Sequence, residues 1–399
     1  MIEALIRGSM TNRSLVLAAA ALLLSWGTWQ AFNTPVDVFP DLTAPSVTVV
    51  AEVHGLAPEE VERLVTFPIE TAMNGAAGVR RVRSNTGVGL AVIIIEFDWQ
   101  TDIYRARQIV TEKLQAARGE LPPDIPPPTL APITSVMGEV MFIALVSSAH
   151  DATTLKTAAD WVLRRRLLAV PGVAEVIPIG GLTRQYQVRV APERLAAYGV
   201  TLDTVIAAVS QTNTSASGGF VVENNQEFLI HARGRVQSVE DIAATVVTTR
   251  DGQPVTVRDL GTVQTGAAPR RGTGSYRGHD AVVLGIQKQP DANTLALTER
   301  LDATIADVQR SLPEGMRIET NAFRQADFIA LAIDNLSAAI RDGAVLIVLI
   351  VFVFLLSGRA TLITLLALPL SVIVTLLVPN ALGATINTMP LGGIAIPLA

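Results

Sequence analysis

The feature that most constrains this chain is a series of long apolar runs without charged side chains. The first run, Leu15–Phe32, contains eighteen residues and no charge. A helix rises about 1.5 Å per residue, so this run reaches about 27 Å, close to the roughly 30 Å hydrocarbon core of a bilayer. The sequence therefore predicts a transmembrane helix at 15–33, preceded by a short segment at 1–14.

Residues beside the first run indicate its orientation. Arg7 and Arg13 precede it, and Trp26 and Trp29 lie near its far end. Basic residues favour the cytoplasmic side, and tryptophan favours the membrane boundary, so the N-terminus is predicted to be cytoplasmic. A cleaved signal peptide with Leu15–Leu24 as its apolar region is the competing interpretation. The apolar sequence continues beyond that region without a good small-residue cleavage pattern, and further runs follow, which favours an anchor.

Three more apolar runs follow near the end of the sequence. They predict transmembrane helices at 338–357 and 360–379 and the start of a fourth at 387–399, which is too short to span at this length. Arg359 lies in the short turn between two of these runs and marks that side as cytoplasmic. The residues between the first two predicted spans are then expected to form a large periplasmic domain.

The composition excludes several classes of function. Only 17% of residues are charged, against about a quarter in an average soluble domain, and the net charge of −5 argues against nucleic acid as a partner. No cysteine is present, which excludes thiolate metal sites and disulfides. No nucleotide-binding motif occurs, and the histidines have no metal-ligand spacing: His54, His150, His231 and His279. The chain is therefore predicted not to be an enzyme and to bind no cofactor or resident metal.

The region after the first run has the pattern of a split βαβ unit. A strand is predicted at 46–53, and a helix begins at Pro58 with acidic residues in its first turn. Strands follow at Val79–Arg83 and Leu90–Phe97, and a second helix starts at Asp102 before a last strand near residue 130. This order predicts a ferredoxin-like unit over 34–135.

The same pattern recurs later in the chain with an interruption. A second unit is predicted from two separate parts, 136–180 and 274–330, because the residue pattern of Ala281–Ile286 matches that of Ala91–Glu96. The residues between the parts, 181–273, then form an insertion. Internal repetition of this kind is strong evidence about architecture. The predicted fold class is thus an α+β membrane protein with tandem ferredoxin-like units and an inserted subdomain.

One segment of the insertion predicts a β-hairpin. The polar, glycine-rich stretch Ser210–Gly219 leads to strands at Phe220–Glu223 and Glu227–Ala232, and Asn224 and Asn225 form the turn between them. A mobile surface hairpin and an arm that reaches a neighbouring subunit both fit this pattern.

Five segments of the chain have the sequence of recognisable motifs: Pro35–Leu42, Gly55–Glu62, Thr66–Glu70, Thr101–Gln108 and Leu391–Ile396. These motifs resemble those of the resistance–nodulation–division (RND) efflux transporters, most closely the heavy-metal branch, with the drug-efflux branch as the near alternative. The resemblance covers the chain up to about residue 396, and it suggests an N-terminal fragment of a longer permease.

The resemblance implies a function and its partners. It implies a multi-pass permease in the bacterial inner membrane, surrounded by membrane lipid, that exports heavy-metal cations by proton antiport. The partners implied are a homotrimer of the chain, a periplasmic adaptor (membrane fusion) protein and an outer-membrane channel. The two units become porter subdomains and the insertion a docking subdomain. Its arm contacts the next protomer through Asn213, Ser215, Gly218, Gly219, Asn224 and Asn225.

The sequence also departs from the family pattern. The family's proton-carrying acidic residue follows Leu391–Gly393 by a few positions, where this chain ends, so the proton relay is absent and transport by the chain alone is not expected. Met389 matches a substrate-path methionine of copper and silver exporters, although apolar packing is the favoured explanation for it. Pro269 stands where those exporters place another methionine, so copper and silver are not favoured. A membrane-anchored periplasmic binding or scaffold module is the alternative outside transport.

Overall fold

The computed structural model describes most of the chain between residues 11 and 355. The described residues are 11–33, 36–37, 44–53, 55–134, 138–213, 217–224, 226–231, 234–270, 272–290, 292–355, 370, 373 and 386–387.

The first folded unit is a four-stranded antiparallel sheet with helices on one face. Its strands and those just before it are β1 (Val36–Asp37), β2 (Ser46–Glu52), β3 (Val79–Gly87), β4 (Leu90–Phe97) and β5 (Thr129–Leu130). The helices of this part are α1 (Arg13–Asn33), α2 (Pro58–Val61), α3 (Phe67–Asn74) and α4 (Ile103–Ala117). A π-helical turn, Glu62–Thr66, joins α2 to α3. The sheet order is β3–β4–β2–β5, with every neighbouring pair antiparallel.

Alternating side chains decide which face of this sheet is covered. In β2, Val47, Val49 and Ala51 are buried while the residues between them are partly exposed. That period of two puts one apolar face against the helices. Asp102 fixes the start of α4, because its Oδ1 accepts hydrogen bonds from the backbone N–H groups of Tyr104 (3.0 Å) and Arg105 (2.9 Å).

The face of the sheet away from the helices carries an ion-pair network. Glu96 accepts hydrogen bonds from Arg81 Nε (3.0 Å) and Nη2 (2.9 Å), and Arg83 pairs with the same carboxylate. Partial desolvation opposes ionisation of Glu96, but the two arginines outweigh it and lower the pKa of this carboxyl. The network ties edge strand β3 to β4.

The second unit has the same topology with a long interruption. Its strands are β6 (Glu139–Ser147), β7 (Val173–Ile179), β16 (Val282–Lys288) and β17 (Met316–Arg324). Its helices are α5 (Ala152–Ala158), α6 (Arg164–Leu168), the π-helical turn Ala159–Leu163 between them, and α11 (Thr294–Ser311). The sheet order is β17–β6–β16–β7, again antiparallel throughout. Counted along the chain, both sheets have the order fourth, first, third, second, which is that of a split βαβ unit.

An insertion separates the second and third strands of the second unit. Its strands are β8 (Arg184–Val190), β9 (Ser217–Glu223), β10 (Gln226–His231), β11 (Val246–Arg250), β12 (Gln253–Thr256) and β13 (Gly261–Ala267). Its helices are α7 (Pro192–Tyr198), α8 (Leu202–Thr212), α9 (Val239–Ala243) and α10 (Val257–Leu260). Three pairs form, β8–β13, β9–β10 and β11–β12, and a small core contains Val205, Val255 and Leu260. A short hairpin of β14 (Ser275–Tyr276) and β15 (His279–Asp280) leads back into β16.

A long helix, α12 (Gln325–Leu355), follows β17 without a loop. Arg324 holds this junction, because its Nη1 and Nη2 donate to the two carboxylate oxygens of Asp302 in α11 at 2.8 and 2.7 Å. The hydrogen bonds from Arg324 to Asp302 raise the pKa of Arg324, so the guanidinium stays charged. Beyond α12, β18 (Ile386–Asn387) pairs in parallel with β1.

Among the described residues, no helix combines the length and the apolar composition needed to cross a membrane. The predicted span at 360–379 and the start of another at 387–399 lie outside the described residues, apart from 370, 373 and 387. The helix α12 begins well before the predicted span at 338–357. The predicted spans stay predictions.

Candidate functional site: a projecting hairpin in the insertion

The hairpin β9–β10 is anchored at its base by Asn213, one of the residues predicted for the arm. This residue ends α8, and its side-chain Oδ1 accepts a hydrogen bond from the backbone N–H of Val236 at 3.3 Å. The two residues flank the hairpin on either side in sequence. Their bond therefore links the two ends of the segment that contains the hairpin.

The turn at the tip is a two-residue connection. Glu223 pairs with Gln226, and Asn224 between them has a φ of +51°. Asparagine tolerates this left-handed conformation better than most residues do, which explains its place in the turn. The predicted turn residue Asn225 and the predicted arm residue Ser215 lie outside the described residues.

A bulge lies part-way along the hairpin, at the two predicted glycines. Leu229 pairs with Phe220 and His231 with Ser217, so Gly218 and Gly219 together oppose one residue of β10. The φ of Gly219 is +72°, and no atom lies within 4 Å of the position that a Cβ would occupy. The backbone conformation, not crowding, therefore requires glycine here, and the bulge increases the local twist of the hairpin.

Both faces of the hairpin expose large apolar side chains. The exposed fraction is 63% for Phe220, 60% for Val222 and 52% for Phe228, and Val221 is also exposed. Neighbouring residues in a strand point to opposite faces, so neither face is covered. Within the described part of the chain, this sheet has two strands only. An isolated two-stranded hairpin is marginally stable in water, and contiguous exposed apolar surface is typical of an interaction site.

Carboxylates fix the local structure around the hairpin. Exposed Glu223 and Glu227 give the tip a negative charge. Behind the base, Asp241 Oδ2 accepts hydrogen bonds from the backbone N–H groups of Gln237 (2.9 Å) and Ser238 (3.0 Å). These bonds, first that from Gln237, lower the pKa of Asp241, which is the third residue of α9 and forms a capping box with the N-cap residue Ser238. The geometry of the described hairpin residues supports protein–protein contact.

The described residues form no metal site, and the predicted substrate-path methionine is not among them. Met389 lies outside the described residues. No group of three or more His, Cys, Asp and Glu side chains in the described ranges is arranged to hold a metal ion. His150 has its Nδ1 3.0 Å from Ser147 Oγ, an ordinary hydrogen bond.

The turn and glycine residues of the hairpin were predicted from the sequence, but its apolar surface was not. Phe220, Val222 and Phe228 carry that surface. A signal is present, because apolar residues at adjacent positions of both strands leave no polar face for solvent. That pattern indicates either a covered hairpin or one that meets a partner.

Comparison with known proteins agrees with the resemblance seen in the sequence. Residues 5–398 match the AcrB/AcrD/AcrF family. The chain is 35% identical to the "Cation efflux system protein CusA" of Escherichia coli strain K12 over 400 residues, which is 99% of this chain and 38% of that protein. It is 33% identical over 403 residues to the "Cobalt-zinc-cadmium resistance protein CzcA" of Cupriavidus metallidurans, with the same two coverages.

A solved structure shows the same fold. The "X-ray crystal structure of a heavy metal efflux pump, crystal form II" superposes with a TM-score of 0.87 at 27% identity, over 96% of this chain and 38% of that chain. This chain thus spans well under half the length of the relatives it matches. The resemblance to RND efflux transporters of the heavy-metal branch is confirmed: the chain belongs to the AcrB/AcrD/AcrF family.

Proposed function

We propose that this chain is part of the inner-membrane permease of a proton-driven efflux pump that exports heavy-metal cations. One observation carries the proposal: the likeness to proteins named for cation efflux and metal resistance extends over nearly the whole chain. The permease would act with a periplasmic adaptor and an outer-membrane channel, as RND pumps do. No nucleic acid or cofactor takes part.

The parts of the chain have separate proposed roles. The two sheet-and-helix units, 34–135 and 136–180 with 274–330, would be porter subdomains, and 181–273 would be a docking subdomain. The apolar runs would place the permease in the membrane, with these subdomains in the periplasm. The strand order of the two sheets supports this assignment.

One residue of the sequence, Pro269, narrows the class of metal that we propose the pump exports. Pro269 lies where copper and silver exporters have a substrate-path methionine, and proline has no side-chain donor atom to replace a thioether. The metals for which CzcA is named, cobalt, zinc and cadmium, are therefore proposed ahead of copper and silver. Export of organic drugs is the alternative that the test must separate.

A hybrid permease tests the function directly. The aligned 38% of CzcA is replaced by this chain, and the hybrid is expressed with its adaptor and channel in a host without metal pumps. We expect tolerance to zinc, cobalt and cadmium that disappears when the proton gradient is collapsed. Two controls are CzcA lacking the segment and this chain alone, and we expect neither to give tolerance. Drug tolerance without metal tolerance would support the drug-efflux alternative, and a hybrid that is made but exports nothing would contradict both.

The homotrimer proposal rests on the exposed hairpin. Replacing Phe228 by serine should weaken self-association of the purified chain about tenfold to a hundredfold, because burying one such side chain contributes about 1.5–3 kcal/mol. Sedimentation at several concentrations measures this change. The matched control is Tyr186→Ser, since Tyr186 in β8 of the same insertion is similarly exposed at 57%. Equal effects of the two changes would mean that the hairpin is not the contact.

A further inference from the structure

A cleft of about 770 Å³ lies between the two units, and neither the hairpin nor Pro269 contributes to its lining. The first unit contributes the start of α4, including Arg107, and the linker residue Pro132. The second unit contributes the turn at Gly172, the β16–α11 connection with Pro290, and Arg300 of α11.

Two guanidinium groups line this cleft from opposite units. Arg107 Nη1 donates to the carbonyl of Ala131 at 2.7 Å, and Arg300 Nε donates to the carbonyl of Ala296 at 3.1 Å. Each bond uses one of the five N–H groups of its arginine and fixes the direction of the side chain. No acceptor among the described residues takes the remaining N–H groups.

Gly172 lies beside Arg300 in the wall of the cleft. Gly172 has a φ of +99°, a conformation that favours glycine, and a Cβ there would lie 3.7 Å from Arg300 Nη2. The absence of a side chain leaves the terminal nitrogens of Arg300 open to the cleft.

The described residues that line the cleft carry a net positive charge. Among the described lining residues there is no aspartate or glutamate, and Asp291, next to Pro290, lies outside the described residues. The remaining wall is mixed: Ile103, Ile133 and the prolines form its apolar part, and Gln289 and Asn293 are polar. Two positive charges in a partly enclosed space repel a metal cation and attract an anion.

We propose that the cleft binds a small organic anion. Its carboxylate or phosphate group pairs with Arg107 and Arg300, which suit the planar, bidentate geometry of such groups. Its apolar part packs against the prolines of the linker and of the β16–α11 connection. This site would be separate from the cation path, and its existence does not depend on which metal is exported.

Calorimetric titration of the full chain in a non-ionic detergent tests the proposal. The probes are 1-naphthoate, the similarly sized cation 1-naphthylmethylammonium, and inorganic phosphate. We expect naphthoate to bind, the cation not to bind, and phosphate to bind more weakly than naphthoate because it lacks an apolar body. Arg300→Gln and Arg107→Gln should each weaken naphthoate binding about tenfold. The matched control is Arg310→Gln on the same helix, because Arg310 pairs with Asp307 away from the cleft.

Three results would overturn the proposal. Equal binding of the anionic and cationic probes would show that charge does not select the ligand. Unchanged naphthoate affinity in both cleft variants, with thermal melts like that of the unaltered chain, would place binding elsewhere. Binding that is undetectable until Asp291 is replaced by asparagine would show that the chain itself neutralises the two arginines.

Discussion

Replacing Gly274 by alanine is expected to lower the free energy of unfolding of the second unit by about 3 kcal/mol. Gly274 lies where the chain returns from the insertion, and its carbonyl accepts a hydrogen bond from the N–H of Ala281 at 3.0 Å. A Cβ on Gly274 would lie 2.7 Å from the carbonyl oxygen of Ala281 and 2.8 Å from that of Ile179. Both obstacles are backbone atoms, so no side-chain rotation relieves the overlap, and the strands must separate.

Gly272 provides a matched control two residues earlier. No atom lies within 4 Å of the position that a Cβ on Gly272 would occupy, and its φ is outside the left-handed region. Gly272→Ala should therefore change stability by less than about 1 kcal/mol, in the stabilising direction, because alanine restricts the unfolded chain. Denaturant unfolding and hydrogen exchange in β7 and β16 measure both variants. Equal stability of the two variants would show that the close contact of Gly274 with the backbone of Ile179 and Ala281 is not required for the stability of the second unit.

The topology of the two units follows from signals that the sequence carries strongly. The predicted strand Leu90–Phe97 is observed with the same bounds, and the predicted helix from Asp102 starts one residue later with that aspartate as its cap. Period-two burial and capping chemistry act locally, so they are readable from the residues alone. The repeated sequence pattern then shows that the elements before and after the insertion belong to one unit.

The insertion was less predictable because its elements are short and its core is small. The elements β11, β12, α9 and α10, which have four or five residues each, were not predicted from the sequence. Few apolar positions recur in so short a stretch, and three buried residues form the core cluster. Tertiary contacts and capping boxes, such as that of Thr256 with Asp259, hold these elements instead.

The hairpin and the cleft also differ in how far the sequence alone predicts them. The left-handed turn residue Asn224 and the bulge at Gly219 have a conformational signature, and the sequence points to both. The cleft has none, because Arg107 and Arg300 are distant in sequence and only the packing of two separate units brings them to one space. That these two arginines line one cleft can therefore be recognised only from the structure.

Replacing Phe97 by alanine should unfold the first unit selectively. The side chain is fully buried, with an exposed fraction of 0%, in a core shared by β2, β4 and the helices above them. Removing a buried phenylalanine leaves a cavity and destabilises by about 3–5 kcal/mol. The second unit has its own core, which shares no residue with the first. Hydrogen exchange should therefore lose protection in β2 and β4 while β6 and β16 keep theirs.

Phe67 is the matched control, since it is a phenylalanine of the same unit with 65% of its side chain exposed. Phe67→Ala should change stability by less than about 0.5 kcal/mol. If Phe97→Ala removed protection from both sheets equally, the two units would unfold as one. Separate unfolding would instead mean that two rigid bodies meet across the cleft, and an anion bound to both Arg107 and Arg300 would then stabilise one relative position of the units over others.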